Sequence, residues 1–333
     1  MERLRIGIIG AGRIGSLHAK NITTEIPEGE VVAIADIFED AAKRVAGELG
    51  ISKAYKDYRH ILDDKDIDAV FICTSTDTHA RLIKEASSAK KDIFCEKPIA
   101  LDLREIDEAL DAVKENNVIL QIGFNRRFDP SFSRVRELVE SGAIGSPHIL
   151  KITSRDPLPP PIEYVKVSGG IFVDMTIHDF DMARYLMGEE IVEVFAQGAV
   201  LVDPKIGEVG DIDTAITTLR FESGAIGVID NSRKAVYGYD QRVEVFGSKG
   251  VARAENRKPD EAFYGDENGF HSSLPLFFFL ERYREAYIKE VKAFIESVRD
   301  RKRPPVTGED GKLAVVIAQA AAKSLKEKRP IKI

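Results

Sequence analysis

Apolar positions along the chain follow two rhythms, and the change between them divides it. In the first third, short apolar runs at 4–9, 31–35, 69–73, 93–95 and 119–123 read as buried strands. The stretches between them, at 12–24, 40–49, 78–89 and 103–116, carry helical spacing, and Asp102 is placed to cap the last of them. Strand and helix alternating over short links predict a parallel sheet with helices on both faces. Beyond Gly123 the texture changes. A helix is predicted over 132–140, then strands over 148–154, 192–202, 214–221, 225–231 and 242–246, broken by turns such as Glu222-Ser223-Gly224 and Gly247-Ser248-Lys249-Gly250. Few helices separate the later strands, so an antiparallel sheet is expected there. Helices over 179–187, 283–298 and 311–326 and a proline-rich loop over 157–161 complete the pattern. The expected fold class is α/β. An N-terminal Rossmann domain (1–123) with a doubly wound parallel sheet is followed by a C-terminal α+β domain (124–333) with a large, mostly antiparallel sheet.

Composition narrows the partners. With 44% hydrophobic and 31% charged residues the chain can bury a core and keep a wettable surface. A formal net charge of -7 argues against nucleic acid as the main partner. No apolar run is long enough for a membrane span and no export signal is visible, so neither membrane nor secretion is expected. Cys73 and Cys95 fall in apolar runs without metal or redox spacing, which suits a reduced, cytoplasmic protein.

The chemistry concentrates in a few strings. Gly10-Ala11-Gly12-Arg13-Ile14-Gly15 is a G-x-G-x-x-G between a strand and a helix. There the first glycine permits a tight turn, the second admits a pyrophosphate, and the third lets helix and sheet approach. An ordinary tight turn is the plainer alternative. Asp36 ends the second strand, about 20 residues on, where a carboxylate accepts from ribose hydroxyls and repels a 2′-phosphate, favouring NAD over NADP. It could instead cap the next helix. Ile37 follows it, and both are candidate cofactor contacts together with Gly10, Gly12, Arg13, Ile14 and Gly15. Thr74-Ser75-Thr76 and His79 follow the third strand and suit a cofactor wall, although loops are commonly polar. Glu96-Lys97-Pro98 ends the next strand, on the edge where open α/β sheets collect ligands. In Gly169 to Asp181, Asp174 and His178 stand four apart, so a helix brings them to one face, where a carboxylate can orient an imidazole base. Asp179 and Asp181 fit an acidic helix N-terminus. No further histidine lies at metal-ligand spacing, so no metal is expected.

Together these strings resemble the glucose–fructose oxidoreductase/inositol dehydrogenase/rhizopine-catabolism family over nearly the whole chain. Glu96-Lys97-Pro98 looks like its E-K-P signature, and Asp174 with His178 looks like its D-x-x-x-H element. The Gly123-to-Asp129 and Asp174-to-Asp181 segments look like those of its inositol-oxidising members. The resemblance implies NAD as cofactor, with NADP second, and a catalytic set of Lys97, Asp174 and His178. In that set His178 takes the hydroxyl proton and Lys97 stabilises charge on the substrate oxygen, while Asp174 orients His178 or a second hydroxyl. Glu96, Lys97 and Arg126 join the expected cofactor contacts. Asn125, Arg127, Arg155 and Tyr237 join Lys97, Asp174 and His178 as polyol contacts. The implied substrate is a cyclic polyol, myo-inositol first, then another polyol or a sugar. A dinucleotide-binding regulator without turnover is the remaining class. A homotetramer or dimer is implied.

Overall fold

The structure, a computed structural model, describes residues 3–333. The chain divides into two compact units. One holds the residues as far as Asn125 together with Glu285–Val315; the other holds Arg126–Arg284 and Val316–Ile333.

The first unit is a six-stranded sheet. Its strands are β1 (Leu4–Ile9), β2 (Gly29–Ala35), β3 (Lys53–Tyr55), β4 (Ala69–Ile72), β5 (Asp92–Cys95) and β6 (Leu120–Ile122), ordered β3-β2-β1-β4-β5-β6 with every pairing parallel. The expected runs pair as read, and β3 is the strand the pattern missed, because Lys53-Ala54-Tyr55 is short, polar-edged and only partly buried. In β1 all but one residue is buried, as strands covered by helices on both faces require. Asp102 caps its helix, accepting from the Arg104 amide at 2.8 Å. The helix Arg284–Asp300 lies far along the chain, yet its residues from Glu285 group with this unit. Val291, Phe294 and Ile295 pack with Ile6, Phe71 and Phe94 in one core. Phe294 meets Phe71 and Phe94 edge-on, with centroids 5.4 and 5.9 Å apart. A boundary at Gly123 alone therefore does not describe this unit, because the 285–315 segment returns to it.

The second unit is built on a seven-stranded sheet. Its strands are β7 (Pro147–Arg155), β8 (Ile191–Ala199), β9 (Thr214–Phe221), β10 (Ile226–Ser232), β11 (Asp240–Gly247), β12 (Gly250–Ala254) and, after the hairpin β13 (Phe263–Asp266) and β14 (Gly269–Ser272), β15 (Ile331–Lys332). The order is β12-β11-β7-β10-β9-β8-β15, antiparallel throughout except for the parallel pair β7 and β10. One face is buried: Leu150, Ile152, Ser154, Ile229, Asn231, Val243 and Val245 alternate inward. The helix Ile177–Met187 lies in this unit and is buried along most of its length. The opposite face stays open, carrying Ile216, Ile226 and Phe246 at 45%, 49% and 47% exposure. No helix among the described residues is long and apolar enough to cross a membrane.

Candidate active site

The glycine turn is held by contacts of short reach. Gly10 has φ +103°, in the left-handed region, and a Cβ there would meet the Cys73 carbonyl oxygen at 2.6 Å. A Cβ on Gly15 would fall 1.9 Å from the Gly10 carbonyl oxygen. Both glycines are demanded by packing inside the protein. Gly12 is different: its φ is ordinary at -71°, and a Cβ there would meet nothing within 4 Å. The chain itself makes no demand for glycine at that point, and the open space over the start of the helix Arg13–Glu25 fits a pyrophosphate at its N-terminus. Asp36 accepts from the Ala11 amide at 2.7 Å and the Phe38 amide at 2.9 Å, so its carboxylate is fixed beside the turn with lone pairs left over. Ile37 and Phe38 are each 73% exposed. Two apolar side chains are thus left in water beside the fixed carboxylate of Asp36, and Phe38 was not picked out from the sequence.

The strand ends of the same unit carry the polar wall. The Thr74 and Thr78 hydroxyls are 2.6 Å apart, and Thr74, Ser75 and Thr76 keep solvent exposure. His79 is not exposed beside them. It is 1% exposed, with Nδ1 2.8 Å from the Pro98 oxygen and Nε2 3.0 Å from the Thr74 oxygen. Burial lowers its pKa, so the ring is neutral and only one of those nitrogens donates. Its ring nitrogens face backbone, and it braces the loops that carry Thr74 and Pro98. Lys97 sits half-buried in the turn after β5. Glu96 beside it accepts from the fully buried His18, Nε2 to Oε1 at 2.8 Å. His18 sits inside the helix that follows the glycine turn, and no spacing rule marked it. Glu290 completes a group whose ligand atoms lie within 4.8 Å of one another. Burial and then Glu96 push the Glu290 carboxyl well above the usual carboxylate range. Asn125, at 3% exposure, keeps a buried Nδ2 without a protein acceptor, as a group that meets a ligand does.

In the second unit Asp174 lies in a π-helical turn, Phe172–Thr176, and His178 in the first turn of the helix that continues it, Ile177–Met187. The wider π turn is a frequent mark of functional positions. Both side chains are half-buried. Asp179 and Asp181 are not an exposed acidic terminus, for both are fully buried. Asp179 pairs with Arg126 and accepts from Asn231 at 2.8 Å, while Asp181 takes Arg127 in a two-pronged pair with Nε bonds of 2.9 and 3.1 Å. Arg126 and Arg127 thus anchor the helix through charge pairs, and losing one partner of such a pair costs about 3–5 kcal/mol.

Arg155 and Tyr237 come together. Arg155 leaves β7 on the face opposite Ser154, pairs with Asp230 on β10, and donates to the Tyr237 hydroxyl at 3.0 Å. Tyr237 in turn donates to Asp240 at 2.6 Å. By strand alternation Arg155 and Asp230 lie on the face opposite Ser154 and Asn231, which meet Arg126 and Asp179.

Residues 4–124 match the model of an oxidoreductase family with an NAD-binding Rossmann fold. The glycine turn, the fixed Asp36 and the strand order thus belong to a dinucleotide-dependent oxidoreductase. Residues 132–253 match the GFO/IDH/MocA C-terminal domain, and the chain belongs to the GFO/IDH/MocA family. It is 54% identical over 330 residues to the myo-inositol 2-dehydrogenase of Thermotoga maritima, covering 99% of this chain and 98% of that one. It is 47% identical to the inositol 2-dehydrogenase of Rhizobium meliloti, covering 99% of each chain. Among solved structures it resembles scyllo-inositol dehydrogenase from Lactobacillus casei with bound NAD(H) and scyllo-inositol, at TM-score 0.93 and 30% identity, covering 99% of each chain.

Proposed function

We propose that this chain oxidises one secondary hydroxyl of a cyclic polyol with NAD, taking myo-inositol to 2-keto-myo-inositol. The observation that carries the reading is the 54% identity to a myo-inositol 2-dehydrogenase along almost the whole chain. The open glycine turn and the Asp174–His178 pair lie within that span. When bound, NAD supplies the hydride acceptor. Gly12 leaves room for the pyrophosphate, Asp36 receives the ribose hydroxyls, and Ile37 with Phe38 flanks the base. Thr74, Ser75, Thr76 and Glu96 line the cofactor's path. His178 takes the hydroxyl proton as general base. Lys97 donates to the same oxygen and stabilises the negative charge that grows on it. Asp174 orients the imidazole or a second hydroxyl, and Asn125 offers its buried amide to the ring.

The second reading, scyllo-inositol as preferred substrate, is favoured by the likeness to a scyllo-inositol dehydrogenase. The two substrates are epimers at the reacting carbon, so a few hydrogen bonds separate them. NADH formation followed at 340 nm with each inositol, and with NAD or NADP, decides. A higher kcat/KM on myo-inositol with NAD supports the first reading. Preference for scyllo-inositol moves the assignment to its epimer, and silence on both sinks it.

The open sheet face supports self-association. Ile216, Ile226, Phe246 and, on β12, Val251 at 52% exposure give it an apolar strip of the kind that a second copy covers. A dimer or tetramer by light scattering is the expected result, and a monomer at assay concentration would refute it. Two unpaired cysteines suit the reducing cytoplasm as its compartment.

A further inference from the structure

Asp174 is held by two side chains that no sequence motif marks. Arg233 donates from Nη1 to Oδ2 at 3.0 Å, and the Tyr164 hydroxyl donates to Oδ1 at 2.7 Å. Arg233 is 1% exposed, and its backbone amide is tied to the Asp213 oxygen at 2.8 Å. A buried guanidinium needs carboxylates to balance it; beside Asp174, Asp211 accepts from its Nη2 at 3.5 Å, and Asp156 lies close enough to feel its charge. Asp211 accepts in turn from the Ile171 amide at 3.0 Å, the residue just before the π turn. Space at that point is tight. Gly170 has φ +82°, and a Cβ on it would come within 3.0 Å of Asp211 Oδ1. The backbone start of the Asp174 segment and the Asp174 side chain are therefore fastened to one guanidinium.

We propose that Arg233 is a positioning residue for the oxidation. It sets the place and direction of the Asp174 carboxylate, and Asp211 fixes Arg233 to the backbone that carries Asp174. The proposal rests on the polyol dehydrogenase reading given above. Planarity is what makes arginine the required residue. One rigid fork reaches Asp174 and Asp211 from separate nitrogens, and a lysine ammonium supplies the charge but not the two fixed directions. A carboxylate that turns away from its working direction loses rate more than ground-state affinity, since the interaction it makes matters most as charge develops.

The test is steady-state kinetics on the oligomeric holoenzyme with NAD and myo-inositol, together with NADH-binding stoichiometry and thermal unfolding. Arg233→Lys is expected to lower kcat about 30-fold while KM for inositol moves less than about threefold. Binding of one NADH per chain is retained. Asp211→Asn, one link further out, is expected to lower kcat about fivefold. A kcat for Arg233→Lys within about threefold of wild type overturns the proposal. So does a loss that merely follows the fraction of chains still binding NADH, because that is the mark of a structural role alone. If Arg233→Lys does not fold, Asp211→Asn carries the test, and a wild-type kcat in it overturns the clamp. A wild-type enzyme inert on every polyol removes the reading itself. An active wild type beside undisturbed variants removes the clamp only.

Discussion

The glycine turn and the Asp174 turn each hold a carboxylate that the proposed reaction sets against a hydroxyl, and they do it over different distances. Asp36 is fixed by the Ala11 and Phe38 amides, 25 and 2 residues away, within adjacent elements of one sheet. Asp174 is fixed by Tyr164, 10 residues back, and by Arg233, 59 residues on. Backbone amides hold the first and side chains hold the second. Backbone donors come with the turn whatever the neighbouring residues are, whereas a guanidinium has to be delivered by another strand and neutralised. The placing of Asp36 is thus a property of a turn and the strand beside it. The placing of Asp174 is a property of the fold, which leaves more positions at which a change can move it.

The sharpest way to break this contrast is to remove the proposed chemistry while leaving the turn intact. His178→Ala should lower kcat on myo-inositol by about 10²–10⁴, the usual worth of a general base. Lys97→Met should cost about 10²–10³, as for a lost donor to a developing oxyanion. NADH binding, read by fluorescence titration, should survive in both. A near-normal rate in either variant would falsify the assigned roles. Next in size is Asp36→Ala. Two hydrogen bonds to a carboxylate are removed, so kcat/KM for NAD should fall about 10–100-fold while NADP improves relative to it. An unchanged NAD-to-NADP ratio would show that Asp36 only shapes the turn.

The glycines sharpen the comparison further. Gly15→Ala places a Cβ 1.9 Å from the Gly10 oxygen and should destabilise the first unit by about 3 kcal/mol. Gly12→Ala meets no protein atom and should cost at most about 1 kcal/mol of stability, mainly as a poorer helix cap, while weakening NAD binding about tenfold. Thermal unfolding beside cofactor titration separates the two. Equal stability losses would mean that the space over Gly12 is not reserved for a ligand.

How far the sequence could be read follows the same division. Five of six parallel strands, the glycine turn, Asp36 and the Asp102 cap were legible because each depends on neighbours within a strand–helix unit. β3 was not, being three partly buried residues with no apolar run. The return of residues 285–315 to the first unit was hidden too, since an amphipathic helix does not say which sheet its apolar stripe covers. In the second unit, Asp179 and Asp181 looked like dipole partners and proved to be buried mates of Arg126 and Arg127. Arg155 and Tyr237 looked like polyol contacts, and the chain binds them to each other and to Asp230 and Asp240, partners that no spacing announced. His18, Arg233 and Glu290 gave no signal, because a lone charged or ring residue acquires meaning only from a partner far along the chain.

Asp156 offers the mildest test, and the sign of its effect is fixed by its surroundings. It follows β7, among Arg233, Arg126, Asp174 and Asp179, and burial pushes its carboxyl up to about 6, with Arg233 opposing that rise. A carboxyl whose pKa is raised by folding is held protonated in the native state between its ordinary 3.8 and about 6. Folding must therefore bear an ionised, poorly solvated Asp156 above about pH 6, and is relieved of it below about pH 4. Asp156→Asn should stabilise the protein at pH 8 on the order of 1–2 kcal/mol, scaled down because the side chain keeps some exposure. The gain should shrink through the interval from pH 6 to 4 and vanish at its acid end. Urea unfolding of both proteins at pH 4.5, 6 and 8 reads it directly. A gain that stays constant with pH would mean that Asn improves packing at that position, and that the carboxyl titrates no differently there from one in the unfolded chain.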